Sequence, residues 1–141
     1  WVEFKGASNA INEMTIWYTY IAEAINIRYR TIVDPDISIG TVVTSFKILT
    51  NESDDDFIED LIDSGSFDGA SGLNAFRSWY QDPANGIPMA DHYMYFTGFS
   101  IHYAMGIAYR KTMCTGSSVS IIENYFTAGV GAAAAHELGH R

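Results

Sequence analysis

The stretch Ala132-Ala133-Ala134-Ala135-His136-Glu137-Leu138-Gly139-His140-Arg141 decides how the rest of the chain is read. Four alanines, the strongest helix formers, run straight into an H-E-x-x-H pattern, and Thr127 upstream is the expected N-cap of the helix they predict. Residues four apart on a helix share a face. The imidazoles of His136 and His140 are therefore expected about one turn apart, where both can bind a single Zn²⁺, with Glu137 beside them as candidate base. Gly139 costs about 1 kcal/mol of helix propensity relative to alanine, which points to a packing reason for it. The competing reading is a helix whose histidines merely face solvent.

Composition narrows the class. A chain of 141 residues is the size of one modest domain, and 48% hydrophobic content with 14% aromatic residues describes a folded globule rather than a disordered segment. The net charge of −9 argues against nucleic acid and against an anionic membrane surface, since phosphate-rich partners reward Lys and Arg. Charges interrupt the apolar stretches well before the length of a membrane span, and no signal-peptide pattern opens the chain. The sequence starts at Trp1 rather than Met and stops one residue after the motif, so the expectation is that 1–141 is part of a larger catalytic domain, ending in the motif helix. Cys114 is the only cysteine. It reads either as a thiol that is free or has lost its partner, or as a small buried hydrophobe.

Along the chain, Ile11, Met14, Tyr18, Ile21 and Ile25 recur in steps of three and four, the stripe of an amphipathic helix running from about Ser8 to Tyr29 and expected to pack on a sheet. Asp34-Pro35-Asp36 reads as a turn, and the alternation of Ile37, Ile39, Thr41 and Val43 predicts a strand continuing to Leu49. The segment from Asn51 to Gly69, with Asp54, Asp55, Asp56, Glu59, Asp60, Asp63 and Asp68, reads as a solvated acidic face, because its spacing matches no EF-hand loop. Ser71 is the expected cap of a second helix that turns Leu73, Phe76, Trp79 and Tyr80 inward and stops at Asp82-Pro83; Asn85-Gly86 then marks a loop. Strands are predicted at 91–99, 105–110 and 117–123. The fold expected is α/β: a mixed, mainly parallel sheet with an antiparallel edge strand and crossover helices.

A catalytic zinc commonly takes three protein ligands and leaves a place for water. Besides the motif pair, the chain holds only His92 and His102, each at a predicted strand end, where histidines more often serve as surface or hydrogen-bonded residues than as ligands.

The ordered set Asp91-His92-Tyr93-Met94-Tyr95-Phe96-Thr97-Gly98, Gly106-Ile107-Ala108-Tyr109, Met113-Cys114, Ser120-Ile121-Ile122-Glu123-Asn124 and Ala135-His136-Glu137-Leu138-Gly139-His140 resembles the reprolysin (adamalysin) branch of the metzincin zinc endopeptidases. It is similar in particular to secreted thrombospondin-repeat adamalysins and tick salivary metalloproteases. The resemblance covers nearly the whole chain, including Asn26-Ile27-Arg28-Tyr29 at the end of the first helix. It implies the N-terminal subdomain of a zincin: a five-stranded sheet above a cleft whose floor is the motif helix. It further implies a secreted, extracellular enzyme that hydrolyses internal bonds of protein or peptide substrates, with His136 and His140 on zinc and Glu137 as general base. Gly106, Ile107, Ala108 and Tyr109 match the family's edge strand, which pairs antiparallel with an extended substrate. The cysteine matching Cys114 normally bridges to a segment beyond the motif helix, and Asp91 matches a position that helps bind Ca²⁺ in some relatives. The family's third histidine and methionine turn do not occur in this sequence, and its first strand is missing or reduced. Two alternatives stay open: a zincin of another clan whose third ligand is a downstream glutamate, and a metzincin-like binding protein without catalysis.

Overall fold

The computed structural model describes residues 7–50, 54 and 56–140, in two compact units, 1–48 and 49–141. The expectations resting on Asn51, Asp55 and Arg141 lie outside the described residues.

In the first unit the three-four stripe forms helix α1, Ala7–Tyr29, with Ala10, Ile21 and Ile25 buried and Arg28 in the last turn, where a cation suits the helix dipole. Ile11, the first residue of the stripe, is exposed. The turn at Asp34-Pro35-Asp36 is present, closed by the Ile37 amide on the Asp34 carbonyl at 3.2 Å and by the Asp36 amide on the Asp34 carboxylate at 2.9 Å. The strand expected over 37–49 does not form. Alternation signals a half-buried extended chain, but a strand exists only with a ladder partner, and here the partner is a side chain. Asn26 takes that place at one residue: its Nδ2 donates to the Thr41 carbonyl at 3.0 Å and its Oδ1 accepts from the Thr41 amide at 2.7 Å.

The second unit is built around one strand. β5, Val119–Glu123, is buried at all five positions, and it lies between β2, Tyr93–Thr97, and β4, Gly106–Ala108, in a three-stranded mixed sheet. β2 runs parallel to β5, with Tyr95 opposite Ile121, and β4 runs antiparallel at the edge, with Ile107 also opposite Ile121. The antiparallel edge strand is thus present. A second, two-stranded parallel sheet pairs β1, Ser66–Phe67, with β3, Ser100–Ile101. Helix α3, Gly69–Gln81, follows β1 and is the crossover between β1 and β3. The parallel pair β2 and β5 is instead joined through β3 and β4 with no helix between them. The described strands therefore make a three-stranded and a two-stranded sheet rather than one five-stranded sheet.

The sheet has a helix on each face, and alternation along β5 assigns them. Val119 and Ile121 join Leu73, Phe76 and Tyr80 of α3 in the core, whereas Ile122 points to the opposite side. Complete burial of Phe67, Ile58 and Ile121 contributes on the order of 1.5–3 kcal/mol per side chain. Gly72 is needed for this contact, since a Cβ there would stand 2.4 Å from the Phe67 ring.

Two details of the acidic segment differ from expectation. Asp56–Glu59 forms a short helix, α2, whose Ile58 is fully buried, so the segment is anchored rather than wholly solvated. Asp68, not Ser71, caps α3: its carboxylate accepts both the Ser71 amide and the Ser71 hydroxyl at 2.8 Å. Those bonds hold the Asp68 carboxyl below its ordinary pKa. The stop is as expected, with Asp82 ending α3 and a 3₁₀ turn over Pro83–Asn85 closing on a left-handed Gly86. No helix among the described residues is long and apolar enough to cross a membrane.

Candidate metal centre

The motif falls on helix α4, Gly129–Gly139, directly after the central strand. Its N-cap is Ala128, without a side-chain cap bond; Thr127 contributes its backbone carbonyl to the Val130 amide at 3.1 Å rather than its hydroxyl. Some of the alanines and glycines have a packing purpose, but Gly139, for which a packing reason was expected, is exposed. Val130, Gly131, Ala134, Ala135 and Glu137 form the buried face, and small side chains let the helix lie close to β4 and β5. His136 is exposed and His140, the C-cap residue, is half-buried.

His136, Glu137 and His140 come together as expected. Their ligand-capable atoms lie within 4.8 Å of one another, and the two imidazole rings stand edge to face with centroids 4.6 Å apart. Two imidazole nitrogens and a carboxylate oxygen suit a divalent ion of borderline softness, so this group could hold a metal ion. Glu137 is only 7% exposed, in contrast to the accessible imidazoles.

An open cleft of about 610 Å³ runs beside this group. One wall is the stripe Gly129, Ala132, Ala133 and His136 of α4, and the other is Ala104, Met105 and Gly106 at the start of β4. Gly129, Ala132 and Ala133 are absent from the expected site, although their spacing with His136, of three, one and three, marks one helix face. Gly106 meets Glu137 directly. A Cβ on Gly106 would stand 2.7 Å from Glu137 Cγ and 3.1 Å from both Glu137 Oε1 and Ile122 Cδ1. Only a residue without a side chain lets the carboxylate lie against the strand in this way.

The predicted edge residues separate by parity. Gly106 and Ala108 lie on the α4 side, whereas Ile107 packs towards Gly69 of α3 and Tyr109, just past the strand, donates its hydroxyl to Asn74 Oδ1 at 2.6 Å. Arg77 lies over the Tyr109 ring at 5.6 Å, so this side chain belongs to the α3 face rather than the cleft. The backbone follows the same alternation. The Glu123 amide donates to the Met105 carbonyl at 2.9 Å, which makes that pair and, two residues on, Ile107 with Ile121 the hydrogen-bonded ones. The N–H and C=O groups of Gly106 and Ala108 consequently face the outer edge, which no strand covers among the described residues.

The other two histidines are engaged elsewhere. Both ring nitrogens of His92 meet buried serine hydroxyls, Ser118 at 3.0 Å and Ser120 at 2.8 Å, and His102 Nε2 meets the Ser66 hydroxyl at 2.8 Å. Neither joins the motif group. Asp91 also belongs to no group of three ligand residues among the described residues; its carbonyl accepts the Cys114 amide at 3.0 Å and its carboxylate accepts the thiol at 3.5 Å.

Cys114 is free and exposed among the described residues. Its thiol is raised above the ordinary value, first by desolvation and then by the hydrogen bond and negative charge of Asp91. A raised pKa leaves less thiolate at neutral pH, the opposite of what a reactive cysteine needs. Alkylation by iodoacetamide is accordingly expected to show a midpoint above that of a free cysteine, and Asp91→Asn should lower the midpoint and speed the reaction at pH 7.5. An unmoved midpoint would show that Asp91 does not control the thiol.

Comparison of the chain with protein-family models gives no match, and comparison with curated proteins gives none either.

Proposed function

We propose that the protein is a zinc-dependent endopeptidase of the metzincin type, in which His136 and His140 hold the ion, Glu137 is the general base and an extended peptide lies along the outer edge of β4. The observation that carries this reading is that two imidazoles and a buried carboxylate form one group, of which His136 and Glu137 line a cleft whose other wall is the start of a strand with outward backbone groups. On this reading unit 49–141 is the core of a zincin N-terminal subdomain, and secretion and an extracellular site of action follow from the resemblance.

A Zn²⁺ held by the two histidines supplies Lewis-acid polarisation and acidifies water, the chemistry that amide hydrolysis requires. The chain's own residues do the rest. Glu137, with an oxygen within 4.8 Å of the imidazole nitrogens, accepts the proton of the attacking water and delivers it to the leaving amine. Gly106 and Ala108 offer N–H and C=O groups that pair with the substrate backbone, which orients a peptide bond across the cleft without selecting its side chains. Sequence-tolerant cleavage of extended chains follows.

The test is hydrolysis of internally quenched peptides by the full-length protein, with and without a zinc chelator. Chelator-sensitive cleavage within the peptides is expected. A metal-loaded protein that leaves all such peptides intact would exclude the peptidase reading.

A further inference from the structure

We infer that Lys111 is a positioning residue for the metal site, holding His140 in place through its backbone amide. The inference rests on the metal-centre reading above. His140 stands at the end of α4, where the last carbonyls of a helix have no partner within it and the final turn tends to fray. A ligand there would be set on a loose end unless something outside the helix secured it. The Lys111 amide does so, donating to the His140 carbonyl at 3.0 Å.

The geometry at Lys111 is costly, and the cost marks the contact as over-determined. Lys111 has φ +57°, in the left-handed region that residues with a Cβ seldom occupy. The turn is anchored from the other side too, because Tyr109, two residues earlier, is fastened to α3 by its hydroxyl bond to Asn74 and by Arg77 over its ring. A continuous path thus runs from the core helix α3 through Tyr109 and Lys111 to the carbonyl of His140. The same strand touches the motif at its other functional residue, where Gly106 meets Glu137. One element, β4 with its turn, therefore contacts both His140 and Glu137 while its outer edge faces the proposed substrate.

The experiment uses Co²⁺ as probe, titrated into the 141-residue chain against a competing chelator and read by its visible absorption. Lys111→Pro removes the N–H and cannot adopt the left-handed φ, and it should weaken Co²⁺ binding about tenfold or more, as outer-shell changes do, and alter the absorption bands. Lys111→Gly keeps the N–H and relieves the backbone, and it should bind as the wild type does. A folded Lys111→Pro variant with wild-type affinity and spectrum overturns the inference but leaves the metal centre standing. Absence of Co²⁺ binding by the wild type overturns both. Should Lys111→Pro fail to fold, amide exchange of the wild type decides: protection at Lys111 rises when Zn²⁺ is added if its bond to His140 belongs to the metal site, and unchanged protection overturns the inference.

Discussion

Replacing Glu137 by alanine should remove nearly all peptide hydrolysis by the full-length protein while leaving its metal content close to that of the wild type. A positioned acid–base group contributes roughly 10²–10⁴-fold to such reactions, and a loss in kcat/KM of that size is the expected result. Metal content is the discriminating measurement, because Glu137 is both a member of the ligand-capable group and a buried side chain packed on Gly106. Loss of metal together with activity would make Glu137 a ligand or a structural residue. Retained activity would exclude it as the base.

The second large effect concerns the strand edge. Ala108→Pro removes an N–H that faces outward, and edge positions accept proline, so the chain should fold and lose about tenfold or more in kcat/KM, or roughly 1.4 kcal/mol of transition-state binding. Ile107→Pro should fail differently. Its N–H belongs to the ladder with Ile121, so the substitution breaks the β4–β5 pairing and lowers stability, seen as a drop in the urea midpoint. A stable Ala108→Pro variant with unimpaired cleavage would rule out this edge as the substrate site.

The parts of this protein that could be read from sequence are those governed by local periodicity. The stripe of α1, the inward residues of α3, the Asp82-Pro83 stop and the motif helix all follow from spacing and from residues with strong backbone preferences. Predicted strands at 91–99, 105–110 and 117–123 survive as shorter versions, because ladder pairing trims each strand to the length its neighbour matches. What failed depended on a partner. The alternation at 37–43 has no ladder neighbour among the described residues and meets the Asn26 side chain at Thr41 instead, and the two-residue strands β1 and β3 are too short to leave a periodic trace. The caps illustrate the same limit: Asp68 and Ser71 are both good cap residues, and only the third dimension shows which one the helix uses.

For the site, the pattern H-E-x-x-H placed its three residues together because helical geometry alone brings them there. The Gly106-Ile107-Ala108-Tyr109 segment was legible only as a unit. Its division into two cleft-side residues and two core-side residues depends on the register with β5, which no local pattern encodes. The Lys111 contact was invisible for a related reason, since a left-handed lysine carries no sequence signature.

The central claim, that His136 and His140 form a metal site, is tested most directly by titrating Zn²⁺ into the 141-residue chain under chelator competition, beside His136→Ala and His140→Ala. One ion per chain is expected, held more weakly than at a site with three histidines because the described group offers two imidazoles, and that binding should be lost in either variant. Zn²⁺ binding that both variants retain would contradict the claim, because the ion would then sit on other residues, and so would a wild-type chain that binds no Zn²⁺.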